Sequence, residues 1–433
     1  MTSPIAPLPP DGASTTREVA LDTIALAAAL LFEHGQTTEQ TVIAAERLGH
    51  ALSVEVRVLP EWGEIAVEID GAPLSQIAPA TPLGVDLGKV LAVMTLVDQV
   101  CDRRLPLEAV RAALSAVRIL PSGSTLRFVL FAAIGAASMG VIFGALDVVS
   151  LLLIAASAVA GALARRKLAT LSRNPFIQPL CAAAIAGIVA AAADRLQLSD
   201  AQSLVALCPC MILVPGPHLL NGAIDLTRTR IALGSARLVY AGVIVLTICV
   251  GLFAGLAAGG ATLQGAASSL PVPLAADVVA AGSAVAAFAT FFSMPWRLLP
   301  FPVVVGMLAH GARWAVISAG FHVATAALVA SVLVGLVVAP VANRLRLPFA
   351  ALGFSSVVSM MPGFFLFHAA EDLVQLVSSG PHASANQLAS CVVNGATAFL
   401  IILAMTVGLI VPRTLLGHFL LPTTSGTSGQ YPR

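Results

Sequence analysis

Two stretches of the chain repeat each other: residues 214–226 read VPGPHLLNGAIDL and residues 361–373 read MPGFFLFHAAEDL. Aligned without a gap, six of the thirteen positions are identical, at an offset of 147 residues. At its second and third positions each copy has a Pro-Gly pair, which breaks or kinks a helix, and at its last position but one a carboxylate, Asp225 or Asp372. Both copies close the fourth apolar segment in a set of five. The repeat therefore predicts a duplicated unit of five membrane spans.

Composition places most of the chain in a membrane. Of its 433 residues 58% are hydrophobic and only 10% are charged, and the mean hydropathy is +0.93, which excludes a soluble protein of this size. A span needs about 20 apolar residues. Ten such segments are expected, at 127–143, 146–164, 174–193, 202–221, 237–259, 273–294, 299–319, 321–340, 348–368 and 388–411. Because five is odd, the second copy enters the membrane in the opposite orientation, the inverted repeat that is typical of secondary transporters.

The predicted fold is thus an α-helical polytopic membrane protein, about ten transmembrane helices in two five-helix inverted repeats, with an N-terminal soluble α+β domain. The charges support this division. Residues 1–122 carry 15 acids and 8 bases, net −7, whereas residues 123–433 carry 7 acids and 15 bases, net +8. The expected units are a disordered tail 1–16, the soluble domain 17–122, the two repeats 123–262 and 263–416, and a disordered tail 417–433.

The soluble domain has helix and hairpin signals. A helical pattern stops at Gly35, and Thr37 with Gln40 forms a capping-box pattern for a second helix. Apolar residues alternate over 54–58 and again over 65–69, which predicts two strands in a hairpin. Helices are expected from about Asp86 to Arg104 and again after Pro106.

The distribution of bases predicts that both termini are cytoplasmic. No apolar segment in residues 1–16 reads as a signal peptide. With the amino terminus inside, the inner loops hold most bases, and the outer loops hold only Arg195, which fits the positive-inside rule. The inner bases are Arg165, Arg166, Lys167, Arg173, Arg228, Arg230, Arg237, Arg297, Arg344 and Arg346.

The repeated element supplies the first candidate site residues. Pro215 with Gly216, and Pro362 with Gly363, should free backbone carbonyls, which is tolerated at membrane depth only beside a cavity or inside protein. One turn later comes Asn221 in one copy and His368 in the other, and then Asp225 or Asp372. The alternative interpretation is that these residues end helices at the membrane surface, with solvated carboxylates.

Other polar residues stand out in the apolar background. His310 and Arg313 share a helix face in the seventh span, where an unpartnered charge costs about 2.5–3.5 kcal/mol. Arg313 is the strongest candidate for substrate or structural pairing, unless it snorkels to an interface. Asn394, His218 and His322 are interpreted mainly as helix-packing hydrogen bonds. Asp277 and Asp147 are placed at outer loops with no function, and the six cysteines are interpreted as core residues.

In order along the chain, these motifs resemble the threonine/serine exporter family of bacterial inner-membrane transporters, from about Ala20 to Leu416. The resemblance rests on GVDLGKVLAV at 84–93 and on the PGxxLxNxxxDL pattern at 215–226. In the second half it rests on Pro295, Arg297, Gly306, His310, Gly311, Arg313, Met361-Pro-Gly363 and Asn394. The resemblance implies export of threonine, serine or a related metabolite, driven by the proton gradient. Similar split proteins are linked with small dicarboxylates such as succinate, so that substrate class stays open.

The expected mechanism brings the two Pro-Gly breaks together in a central site. Arg313 or a half-helix amino terminus would bind the substrate carboxylate, and Asp225, Asp372 or freed carbonyls would bind its ammonium. Asp225, Asp372 and His310 are the candidates for proton coupling. A homo-oligomer is left open, and no cofactor, metal or nucleic acid is expected.

Two rival classes remain at this point. The soluble domain could be a sensor or hydrolase on a membrane anchor, although no nucleophile, phosphate-loop or metal motif is present, so an enzyme is not expected. A regulatory or gating role is favoured for it instead. A passive channel would need a filter-like repeat or a charged ring, which the sequence lacks.

Overall fold

A computed structural model describes residues 12–71, 73–121, 123–263, 272–344, 347, 349–360 and 362–420. Most of the two predicted tails, and also Arg346 and Met361, lie outside the described residues. The first helix begins at Gly12 and the last one continues to Leu420, so each extends a few residues into a predicted tail.

The N-terminal domain is an α+β unit. Its elements are α1 (Gly12–Glu33), α2 (Thr38–Ala51), β1 (Val56–Glu61), β2 (Gly63–Ile69), β3 (Ser75–Ala80), α3 (Leu87–Cys101) and α4 (Leu107–Arg118). The strands form an antiparallel sheet in the order β1-β2-β3, with Val58 opposite Val67. As predicted, Thr37 caps α2 by accepting the Gln40 amide.

The third strand is a correction to the predicted two-stranded hairpin. Its sequence, SQIAPA, has weak alternation and a proline, which disfavours a strand prediction. Pro79 is tolerated because β3 pairs with β2 only and is an edge of the sheet. A hydrophobic core formed by α1, the sheet, α3 and α4 includes Phe32, Ile65 and Leu114, which are fully buried.

Among its described residues, the membrane part contains eight helices long and apolar enough to span a bilayer and two helix pairs bent at a short break, which makes ten spans if each pair is one. The helices of the first half are α5 (Thr125–Ile142), α6 (Val148–Leu171), α7 (Ile177–Arg195), α8 (Gln202–Met211), α9 (Gly216–Thr227) and α10 (Ile231–Ala258). Those of the second half are α11 (Leu274–Phe291), α12 (Pro300–Ser318), α13 (Val323–Arg344), α14 (Phe349–Val357) with a 3-10 turn (Val358–Met360), α15 (Gly363–Ser379) and α16 (Ala385–Leu420).

The two halves pack in the same scheme. Helix α7 packs along α10 in the first half, and α13 packs along α16 in the second. In each half the first helix packs on the second, and the second packs on the third. The second helix of each bent pair, α9 or α15, packs on the last helix of its half. Helices α5 and α11, the first of each half, pack against each other and join the halves.

Small residues allow the tightest helix pair. A methyl group on Gly251 would lie 2.2 Å from the Leu180 carbonyl oxygen, and one on Gly255 would lie 2.2 Å from that of Ala184. Glycines spaced by four along α10 therefore bring its backbone against α7, as in other membrane helix pairs.

The two ends of the membrane part are named by their position relative to the N-terminal domain. The domain side is the end that contacts the N-terminal domain, where α9 ends and α10 begins. The far side is the opposite end, where α10 ends and α11 begins. The domain is joined to the domain side by a hydrogen bond from the Leu87 amide to the Phe292 carbonyl, 2.7 Å long.

Candidate functional site

The first helix break follows from its prolines. Helices α8 and α9 meet at 61°. Helix continuation would need the amide of residue 217 to donate to the Leu213 carbonyl, but Pro217 has no amide proton. The Gly216 amide donates to Val214 instead of Ile212. Among the described residues no backbone amide donates to the carbonyls of Ile212 and Leu213.

The second break lies against the first, as the predicted central site requires. Its two limbs, α14 with its 3-10 turn and α15, meet at 46°. A methyl group on Gly363 would lie 3.2 Å from Cγ of Met211 and 3.4 Å from Cγ2 of Val214. The two breaks are thus in direct contact.

A cavity of about 330 Å³ lies beside the first break on the domain side. Small-molecule pockets have volumes of about 300–1,000 Å³. Leu83, which is 45% exposed, and Gly84 stand at its edge on the loop that enters α3, so the N-terminal domain forms part of its mouth. The lining residues that carry its polar groups are Arg165, Gln178, Ile212, Leu213, His218 and Tyr240.

Arg165 is the cation of this cavity. Its guanidinium lies 4.9 Å from the ring centre of Phe291 and 5.5 Å from that of Phe128, and its Nε is buried without a hydrogen-bond partner. Within the described part of the chain, no carboxylate lies at ion-pair distance from it. The residue is half-buried, and a charge partly removed from water is stabilised by a partner of opposite sign, so this side chain can pair with an anion that enters the cavity.

The cavity combines this cation with acceptors and hydrogen-bonding groups. Ile212 and Leu213, whose carbonyls accept no described backbone amide, line the same cavity as Arg165. Nδ1 of His218 is buried without a partner, and its ring packs edge-on against Tyr240 at 5.1 Å. The arrangement offers a cation for a carboxylate, carbonyls for an ammonium, and imidazole and amide groups for a hydroxyl.

Asp225 lies elsewhere, at the junction with the N-terminal domain. It is 1% exposed, with Oδ2 3.1 Å from Nε of Arg237 and Oδ1 3.6 Å from a guanidinium nitrogen of Arg230. Oδ2 also accepts the Thr38 hydroxyl at 3.0 Å. Asn221, one turn earlier on α9, donates to the Gly35 carbonyl at 3.3 Å. Both predicted site residues therefore bind the domain.

Four further contacts strengthen this junction. Glu39 of α2 pairs with Arg228 at 3.3 Å and with Arg413 of α16 at 3.6 Å. The Arg237 guanidinium lies 4.8 Å from the Phe32 ring centre. The tip of the β1–β2 hairpin reaches α10, where Trp62 lies 5.3 Å from Tyr240. The domain is thus fixed to the helices that flank the cavity.

A second polar cluster lies toward the far side. Nδ1 of His310 is 3.3 Å from Oδ2 of Asp277, and its Nε2 is 2.9 Å from the Ser359 hydroxyl. The expectation that Asp277 lies in an outer loop is wrong: it lies in the first turn of α11, is 3% exposed, and contacts fully buried His310. Arg313, Ser359 and Phe143 line a far-side cavity of about 10 Å³.

Asp372 and Asn394 are brought together, as a third and more exposed cluster. Oδ2 of Asp372 accepts from Asn394 and from Ser390, both at 2.8 Å. His368 packs edge-on against Phe364 at 4.4 Å, with its Nε2 buried and unpartnered. The structure therefore distributes the predicted residues over three places, and it places only the breaks themselves at the centre.

Several site residues were not predicted. Arg165 belongs to the run Arg165-Arg166-Lys167, which reads simply as inner-loop bases. Its position six residues before the end of α6, within an apolar helix, is the signal that distinguishes it. Gln178 and Tyr240 gave no signal beyond being polar residues near span ends.

A polytopic helical bundle with a polar cavity at a helix break defines a membrane transporter. Comparison with known families names it further. The protein-family model described as a putative threonine/serine exporter matches residues 22–259. The family model described as threonine/serine exporter, ThrE, matches residues 277–415. The chain belongs to the threonine/serine exporter family, with both family units fused in one polypeptide. No solved structure matches the chain.

Proposed function

We propose that the protein exports threonine, serine or a closely related amino acid from the cytoplasm, by alternating access and in exchange for protons. The observation that carries the proposal is Arg165, a half-buried cation without a described carboxylate partner, which lines a cavity of about 330 Å³ at the first helix break. In this proposal the substrate carboxylate binds Arg165 and its ammonium binds the carbonyls of Ile212 and Leu213.

The proposed site favours an amino acid over a dicarboxylate. Arg165 is the one guanidinium of the described residues that lines the domain-side cavity. The neighbouring Arg166 donates to the Gly123 carbonyl at 2.8 Å, and its guanidinium lies over Phe128. A dicarboxylate would bury a second negative charge without a cation, which costs several kcal/mol.

The inverted repeat that the duplicated motif predicts supports the proposed alternating access. The halves share a packing scheme, and the motif offset of 147 places Ile212 and Leu213 of the domain-side cavity opposite Ser359 and Met360 of the far-side cavity. The domain-side cavity has a volume of about 330 Å³, whereas the far-side cavity is nearly closed, with a volume of about 10 Å³. This matches a state open to the domain side, and exchange of the two shapes would open the other side.

The orientation follows from the loop charges. The domain-side loops hold nearly all the bases of the membrane part, so the positive-inside rule places this side, both termini and the soluble domain in the cytoplasm of a bacterial inner membrane. The domain then stands at the cytoplasmic mouth of the cavity, where Leu83 and Gly84 form an edge. We assign it a regulatory role in substrate entry.

Transport by purified protein in liposomes tests the proposal. Labelled threonine, serine and succinate are followed with and without an imposed pH gradient. Threonine or serine should move, and faster with the gradient. Movement of succinate alone would refute the amino-acid assignment, and equal flux at every gradient would refute proton coupling.

A further inference from the structure

The far-side cluster forms a continuous hydrogen-bonded chain through three elements. Asp277 on α11 binds His310 on α12, which binds Ser359 in the 3-10 turn at the second break. All three residues are 3% or less exposed. In surroundings that exclude water, each change of protonation has a large effect on the groups around it.

The charges around His310 are few. Helix α12 packs on α11, α13 and α14. The titratable residue of α11 is Asp277, and the sequence of α14 contains none. In α13 the titratable residue is Arg344 at its end, and His322 lies just before its start. On α12 itself the charged neighbour is Arg313. With Asp277 and Arg313 ionised the cluster is neutral, so His310 can gain and lose one proton without leaving several charges unbalanced.

We propose that the Asp277–His310 pair is the proton-binding site that couples transport to the proton gradient, and that Ser359 passes its protonation state to the second helix break. This inference rests on the proposed function. It adds Asp277 and Ser359 to the mechanism, and it removes the need for Asp225 to change its protonation.

The chemistry of imidazole dictates the coupling step. When His310 is neutral and donates Nδ1–H to Asp277, its Nε2 accepts the Ser359 hydroxyl proton. When a proton binds at Nε2, that nitrogen becomes a donor, so Ser359 must accept and turn its own proton to another acceptor. Because Ser359 is in the turn of the break, next to Met360 of the far-side cavity, the reversal changes the hydrogen bonding of the element that must move.

The site belongs to one half only. At the motif offset of 147, Asp277, His310 and Ser359 correspond to Leu130, Leu163 and Ile212, all apolar. A single proton site on the far side suits antiport, in which a proton enters from the side on which the substrate is released.

Proton binding is measured first, without substrate. Infrared difference spectra of purified full-length protein between pH 8 and pH 5 should contain an imidazole band that disappears in His310→Gln and shifts in Asp277→Asn. His322→Gln is the matched control, since that histidine is exposed at the start of α13. A wild-type spectrum unchanged by His310→Gln would overturn the inference, whatever the protein transports.

Coupling is measured next in liposomes with a trapped pH indicator and labelled threonine. The number of protons moved per threonine should fall at least tenfold in His310→Gln and Asp277→Asn, and stay at the wild-type value in His322→Gln. Ser359→Ala should keep the imidazole band but lower the same ratio. An unchanged ratio in the first two variants would refute the site. Wild-type protein that binds the proton but moves no threonine would refute the proposed substrate and leave the proton site supported.

Discussion

Replacing Arg165 with Gln separates a substrate-binding role from a structural one. A buried arginine that holds a fold together has a carboxylate partner, and its removal leaves that partner unpaired at a cost of about 3–5 kcal/mol. Arg165 has no such partner among the described residues, and its contacts are the rings of Phe128 and Phe291. We therefore expect little loss of stability and a large loss of substrate affinity.

The magnitudes follow from these contacts. A hydrogen bond to a charged group contributes about 1.5–3 kcal/mol, and about 1.4 kcal/mol corresponds to a tenfold change in Kd. Arg165→Gln should therefore weaken threonine binding roughly 10- to 100-fold. The two cation–π contacts contribute about 0.5–2 kcal/mol to stability, and part of this loss is offset because a half-buried charge is also removed.

Thermal unfolding in detergent measures both quantities at once. Threonine at 100 times its wild-type Kd should stabilise the wild type by about 2.7 kcal/mol, and a variant with a Kd 100 times higher by only about 0.4 kcal/mol. Arg165→Lys should lie between them, because it keeps the charge without the bidentate geometry. Arg173→Gln, at an exposed position in the loop after α6, is the control. Equal stabilisation of wild type and Arg165→Gln by threonine would refute the assignment of the carboxylate site.

Three further predictions concern the framework of the site. Asp225→Asn removes one charge of the buried pair with Arg237 and should weaken the domain junction by about 3–5 kcal/mol, seen as faster proteolytic release of the domain; an unchanged cleavage rate would argue against a structural role. Gly255→Ala should destabilise the protein by about 1–3 kcal/mol through overpacking, whereas Gly242→Ala in the same helix meets nothing within 4 Å and should unfold at or slightly above the wild-type temperature. Burial lowers the pKa of His34 below its usual 6.5, so the folded domain resists protonation and loses stability as the pH falls through about 6.5. Hydrogen exchange, corrected for intrinsic rates, should show this loss in the wild type and a flatter pH dependence in His34→Gln.

The fold was largely predictable because its signals are local. Hydropathy marks each span, and proline at 215 and 362 marks both breaks, since the missing amide proton acts wherever the residue stands in a helix. Strand β3 was missed because it lacks such a local signal. The alternation of its sequence is weak, and its pairing with β2 depends on the neighbouring strand rather than on its own residues.

The site was less predictable because it depends on where a side chain points. Arg165 and Arg166 are adjacent and identical, yet one faces the cavity and the other binds the Gly123 carbonyl. Asp277 lies near a span end, where the sequence does not distinguish a loop carboxylate from one that is buried against the next helix. Asp225 was predictable as important, but its partner Thr38 lies 187 residues away.

The contrast between similar packing and dissimilar chemistry gives the proposed cycle its direction. Two halves with the same packing scheme can exchange their conformations at a low cost in free energy. If both halves also carried identical polar groups, they would bind the same ligand equally on both sides, and proton binding would not be coupled to transport. Here the cation of the open cavity lies on the domain side, the titratable pair lies toward the far side, and the contact of Gly363 with Met211 and Val214 joins the two breaks. Proton binding at His310 can then favour one arrangement of both breaks, and its release the other. Because the inward proton gradient favours proton binding to His310 from the far side, the proposed cycle runs in the direction of export.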